Sequence, residues 1–149
     1  MTVSSARLVV LDASIAVKWY LLDEEHAQEA AVIFDRMSDG DIEVIVPSHF
    51  HAEVSNAVRN AVRGRRSTVD DARDALKNFR ALMIPSIPLE EILINGLEYA
   101  LRFDCAFYDA LYLTLAEQIG CPFVHADRRL HNTLAGRFPH ELWIEDYAT

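Results

Sequence analysis

Apolar positions along the chain fall into two rhythms. Short runs such as Leu8-Val-Val-Leu11, Val44-Ile-Val46 and Pro122-Phe-Val124 alternate with longer segments in which apolar residues return every three to four positions. The first rhythm marks strands and the second helices. Strands are expected at Leu8–Leu11, Glu43–Val46, Ile84–Ile87, Phe123–His125 and Leu142–Ile144. Helices are expected from Ser14 to Leu22, Glu25 to Met37 and, after Ser48 as N-cap, through Glu53 to Arg63. Gly64 closes that helix, and Ser67 with Asp70 resembles a capping box for a helix running to Arg80. Pro88 opens a helix reaching Phe103, a further helix carries Asp109, and a short one spans Arg128 to Leu134. The alternation predicts an α/β fold: a central, mostly parallel sheet of four to five strands flanked by helices in an α/β/α sandwich. Residues 1–149 read as one domain, with no linker, repeat or low-complexity stretch.

Against this pattern four carboxylates stand out. Asp109 lies within Ala106-Phe-Tyr-Asp-Ala-Leu-Tyr-Leu-Thr-Leu-Ala116, a segment apolar on nearly every face, with no Lys or Arg within one helical turn. An ionised carboxylate buried there costs several kcal/mol unless a cation, a hydrogen-bond network or a water-filled cleft compensates it. Asp12 ends the first apolar run, Glu53 sits early in a helix after the second, and Asp127 follows the fourth strand. The reading places Asp12 and Asp127 at carboxyl ends of parallel strands, where α/β sheets bind ligands. Glu53 and Asp109 arrive from flanking helices. Asn56 shares a helix face with Glu53, and Ser14 lies two residues beyond Asp12, so both are placed to hold metal-bound water.

Composition narrows the setting. The two cysteines, Cys105 and Cys121, lack metal-ligand spacing and follow no secretory leader, so they are expected to be reduced packing residues in a cytoplasmic protein. No run approaches the length of a membrane span. A net charge of −9 argues, taken alone, against nucleic acid as a partner. Its distribution does not: Arg59, Arg63, Arg65, Arg66, Arg73, Lys77 and Arg80 supply half of the 14 basic residues. A basic ridge beside an acidic pocket suits a metal-dependent nuclease, which must draw in phosphates; a solvated helix face laced with ion pairs is the bland alternative.

Four crowded acids raise one another's pKa unless a counter-charge is present. Hard divalent cations meet this need, because Mg²⁺ or Mn²⁺ takes oxygen ligands and keeps several waters. Water activated by such an ion, with a second ion on the leaving oxygen in two-metal sites, hydrolyses phosphodiesters.

Four motifs can then be compared with a known pattern: Leu11-Asp-Ala-Ser-Ile-Ala-Val-Lys-Trp19, Pro47-Ser-His-Phe-His-Ala-Glu-Val-Ser-Asn56, Tyr108-Asp-Ala-Leu-Tyr-Leu-Thr-Leu-Ala-Glu117 and Val124-His-Ala-Asp127. Together they resemble the PIN-domain ribonucleases, most closely the VapC toxins of bacterial toxin–antitoxin pairs, over nearly the whole chain. The resemblance implies a Mg²⁺-dependent endoribonuclease, with Mn²⁺ as substitute, in which Asp12, Glu53, Asp109 and Asp127 match the acidic tetrad and Ser14 the small hydroxyl position. It also implies an RNA substrate, a cognate antitoxin laid across the groove beside the pocket, and a homodimer. The apolar residues Val54, Ala57, Val58, Ala61 and Val62 fit either that antitoxin contact or plain core burial. The departure is His125, where relatives carry Thr or Ser; His125 could donate a hydrogen bond in place of the hydroxyl.

Several residues admit two readings. Lys18, Arg59, Arg63 and Arg128 are candidate RNA contacts or ordinary surface charges, and Arg128 and Arg129 are either phosphate contacts at the rim or counter-charges for the acids. Tyr108 and Tyr112 fit core packing with hydroxyls near the pocket mouth, or base stacking. His49 and His51 face different ways on a helix and have no third soft ligand, which disfavours zinc. The competing function is a degenerate PIN-like module that grips RNA or protein without cutting, for which His125 is the support. An aspartyl-phosphate enzyme of the haloacid-dehalogenase type is disfavoured, since Ser14 stands where its second Asp is required.

Overall fold

A computed structural model describes residues 6–147. Strand β1 (Arg7–Leu11) leads into the short helix α1 (Ala13–Ala16), which tightens into a 3₁₀ turn at Val17–Trp19. Helix α2 (Ala27–Ser38), strand β2 (Ile42–Pro47), α3 (Phe50–Arg63), α4 (Val69–Ala81) and the two-residue strand β3 (Ser86–Ile87) follow. After a 3₁₀ turn at Leu89–Glu91 come α5 (Leu93–Phe103), α6 (Phe107–Ile119), β4 (Phe123–His125), α7 (Arg128–Leu134) and β5 (Glu141–Trp143).

The five strands form one sheet in the order β3-β2-β1-β4-β5, and every pair is parallel. Val9 pairs with Val44, Val10 with Phe123, and Phe123 with Glu141. From β1 the chain steps outward through β2 to β3, then returns past β1 to β4 and β5. Right-handed crossovers therefore put α1–α4 on one face and α5–α7 on the other. The direction changes between β1 and β4, which makes the gap beyond their carboxyl ends the switch point of the sheet.

Burial explains the runs seen in the sequence. Val9, Val10, Leu11, Phe123 and Val124 are covered on both faces, as strands flanked by helices on each side must be. In α6 every residue from Ala110 to Ala116 is buried, and the hydroxyl of Thr114 is satisfied by donating to the Ala110 carbonyl at 2.8 Å. Gly120, at φ 73°, ends α6 in the left-handed conformation.

Tertiary contacts moved four boundaries. The helix expected over Ser14–Leu22 stops at Ala16, and the Trp19 indole N–H donates to the Ala30 carbonyl at 2.9 Å, tying the tightened turn to α2. The helix expected from Pro88 breaks at Ile92, whose φ of −125° departs from helical geometry while its side chain is buried. Thr68, not Ser67, caps α4 by accepting from the Asp71 N–H at 3.1 Å. Ser48 is exposed, and α3 begins after His49 without a side-chain cap.

Helices α5 and α6 approach closely at Gly96, where an added Cβ would lie 2.9 Å from Leu111 Cδ2 and 3.2 Å from Phe107 Cε2. Leu111 is fully buried and has little room to yield. Gly96→Val is expected to cost about 1–3 kcal/mol in urea denaturation. Gly96→Ala, whose single Cβ makes the same close contact with Leu111 but gains helix propensity, should cost less than the valine.

Candidate active site

Asp12 follows β1 and caps α1, its Oδ2 accepting from the Ser14 N–H at 3.0 Å. Its own N–H donates to the Val124 carbonyl at 3.0 Å, and Ser14 Oγ accepts from the Ala126 N–H at 2.9 Å. These bonds sew the turn after β1 to the turn after β4. Asp127 begins α7 and caps it, Oδ1 accepting from the Leu130 N–H at 3.2 Å. Glu53 lies in the first turn of α3 and Asp109 in the first turn of α6. The two helices come from opposite faces and meet where the Tyr112 hydroxyl donates to Glu53 Oε1 at 2.7 Å. His49 Nε2 lies 3.2 Å from the same oxygen and 3.0 Å from the Tyr108 carbonyl oxygen. A cleft of about 140 Å³ is lined by Asp109, Asp127, Arg129, Cys105 and Thr133.

The four acids act on one another electrostatically. Burial raises the pKa of Asp12, and the charge of Asp127 adds to the rise, against hydrogen bonds from Ser14. Glu53 is pushed up to about 7, first by burial and then by Asp12, Asp109 and Asp127, although the Tyr112 bond opposes the shift. Asp109 is pushed up to about 6 by burial, Asp12 and Asp127, with Arg129 pulling the other way. Burial and the neighbouring acids also drive the Tyr112 hydroxyl far above its ordinary value, keeping it a donor.

The arrangement is short of positive charge. Its oxygen-rich donors suit a hard divalent cation rather than a thiolate-seeking or imidazole-seeking one. The acids do not form a closed cage: among the described residues, the trio of His, Cys, Asp or Glu with donor atoms within 4.8 Å of one another is His125, His131 and Glu141. Spacing of this kind accords with mutual repulsion and with an ion that keeps several of its own waters.

Other residues singled out in the sequence are more dispersed. Asn56 is exposed on α3, and no hydrogen bond joins it to the acids among the described residues. Lys18 is buried and lines a groove with Trp19, Phe34 and Leu82. Arg59 and Arg63 are exposed on α3, about 9 and 15 Å along the axis from Glu53 at the helical rise. Arg128 is occupied by Glu25 at 3.4 Å and Glu145 at 3.9 Å and lies over the Trp143 ring, whereas Arg129 faces the cleft. In the basic ridge Arg66 forms a two-pronged pair with Asp23, and Arg73 pairs with Asp70. Val54, Val58 and Ala61 are core residues. The Tyr112 hydroxyl, expected near the pocket mouth, meets Glu53, whereas the contact of His49 with Glu53 and the place of Glu141 beside His125 carry no signal in local spacing.

Comparison with known proteins supplies the family. The model of the PIN domain matches residues 9–134. A VapC ribonuclease of Mycobacterium bovis is 30% identical over 132 residues, covering 89% of this chain and 95% of that protein. Ribonuclease VapC12 of Mycobacterium tuberculosis is 32% identical over 123 residues, covering 83% and 89%. A crystallised protein of Pyrobaculum aerophilum shares the fold, with a TM-score of 0.66, 21% identity and coverage of 94% and 85%.

A carboxyl whose pKa is higher when folded than when unfolded binds more protons in the folded state, so its stability contribution falls as pH rises. For Asp109 the window runs from the ordinary 3.8 to about 6. Asp109→Asn should therefore raise the metal-free melting temperature by a few degrees at pH 7.5. The gain should shrink as pH falls from 6 towards 4, as followed by circular dichroism.

Proposed function

The chain belongs to the PIN-domain family, and on that premise we propose that it is a divalent-metal-dependent endoribonuclease of the VapC toxin type, hydrolysing RNA phosphodiester bonds. The observation that carries the reading is the set of four acids, from four separate elements, coupled at the switch point of the sheet with Arg129 as the nearby guanidinium. Asp12, Glu53, Asp109 and Asp127 would hold Mg²⁺, with Mn²⁺ as substitute. When bound, the cation supplies the missing positive charge, lowers the pKa of attacking water and offsets charge developing on the phosphate.

The chain's own groups prepare that site. Tyr112 donates to Glu53 Oε1, beside which His49 Nε2 lies, and this orients the carboxylate and leaves Oε2 without a protein hydrogen bond among the described residues. Ser14 sets the separation of the Asp12 and Asp127 turns. Arg129, at the cleft, takes the part of phosphate contact for which Arg128 is already engaged.

The same reading includes two protein partners. The groove of about 390 Å³ lined by Trp19, Leu22, Phe34 and Leu82 suits an apolar antitoxin segment. Ile94, Leu97 and Leu101 leave an exposed apolar stripe on α5, which supports a homodimer. The reading puts the protein in the cytoplasm with its RNA; among the described residues no helix is long and apolar enough to cross a membrane.

Purified protein should cut single-stranded RNA in Mg²⁺ or Mn²⁺ and stop on chelation. Asp12→Asn or Asp109→Asn should each slow cleavage by roughly 10²–10³-fold, the scale of losing one electrostatic stabiliser, with the fold intact by circular dichroism. Full metal-dependent activity in the double variant would refute the assignment, and no melting response to either metal would favour the non-cutting module. Ile94→Glu with Leu101→Glu should yield a monomer by light scattering, and an unchanged mass would remove α5 from the interface.

A further inference from the structure

Glu141 of β5 reaches two histidines with one oxygen. Oε1 lies 2.9 Å from His125 Nε2 and 2.6 Å from His131 Nδ1. Two of the three are enclosed, with His125 fully buried and the Glu141 side chain 7% exposed, while His131 opens to solvent. Burial alone would raise the Glu141 pKa, but the two histidine bonds outweigh it and hold the carboxyl below its ordinary value. Phe123 stacks on the His125 ring at 5.1 Å and 7°, and Trp143 on the His131 ring at 4.6 Å and 18°.

These three side chains have the composition of a zinc ligand set, yet the proton placement speaks against one. The Asp127 N–H points at His125 Nδ1 at 3.3 Å, so that nitrogen is an acceptor and the ring proton sits on Nε2, where it is donated to Glu141. A metal on Nε2 would move the proton to Nδ1 and set it against the Asp127 N–H. The trio is therefore a closed hydrogen-bonded unit whose free end grips the backbone of Asp127.

We propose that Glu141 and His125 are positioning residues for Asp127: the carboxylate fixes the Nε2–H tautomer of His125, whose Nδ1 then holds the Asp127 N–H and thereby aims the Asp127 carboxylate at the cleft. The role rests on reading Asp127 as a metal-holding acid. Two other bonds act on the same turn, from Ala126 N–H to Ser14 Oγ and from Leu130 N–H to Asp127 Oδ1. Ser14 thus fixes the turn to β1, and His125 fixes it to β5 through Glu141. Towards Asp127 the ring therefore accepts at Nδ1, and it donates only towards Glu141.

Two amide variants separate the ends of the ring. His125→Asn keeps an acceptor at the place of Nδ1 and loses the Glu141 contact, whereas His125→Gln keeps a donor towards Glu141 and loses the acceptor. Mn²⁺ affinity, measured by electron paramagnetic resonance of the free ion, should fall about tenfold or more in His125→Gln and in Glu141→Gln, the usual scale for groups that orient a ligand. It should fall less in His125→Asn. In the parent protein, ¹⁵N shifts of the histidine ring should report the Nε2–H tautomer for His125, a readout that needs no variant to fold. The Nδ1–H tautomer, or parent affinity in His125→Gln, would overturn the positioning role alone. Absence of any Mn²⁺ binding sensitive to Asp109→Asn would instead overturn the metal reading of the site beneath it.

Discussion

Crowding of like charge at the switch point is the constraint on which the rest of the site depends. The sheet brings Asp12 and Asp127 side by side because β1 and β4 are neighbours, and α3 and α6 add Glu53 and Asp109 from opposite faces. The cost appears as carboxyls held above their ordinary pKa, Glu53 at about 7 and Asp109 at about 6. A core of fully buried strands and an α6 buried from Ala110 to Ala116 keeps the groups from moving apart to relieve it. Local charge repulsion of this kind is tolerated where function is gained from it.

Hydrogen bonds from backbone, tyrosine and histidine donors do the holding. Ser14 ties the first turn to the fourth strand, Tyr112 crosses between helices to Glu53, and the Glu141–His125 pair braces the Asp127 turn. Each is buried or partly buried, where an unmade bond would cost about 1–3 kcal/mol. The site is thus specified twice, once by topology and once by these ties.

Much of this was legible in the sequence because the acids contradict their surroundings. Asp109 in an otherwise apolar helix and Asp12 at the end of an apolar strand each break the local pattern, and the strand–helix alternation already placed them at one edge. The ties were less legible for physical reasons. Tyr112 looks like any core aromatic until its hydroxyl is seen to meet an acid 59 positions away in sequence. Glu141 joins His125 only because β5 pairs with β4, a register that neither strand states by itself. Arg128 and Arg129 are adjacent on a helix, where a step of about 100° separates a surface ion pair from a cleft. The break at Ile92 follows from burying one side chain, a tertiary demand that helical periodicity does not carry.

The sheet's outer strands are short: β3 has two residues and β5 three, and β5 runs straight into a 3₁₀ turn. Each therefore presents too few unpaired backbone groups for a foreign strand to zip onto. Such a margin guards against fibrous aggregation.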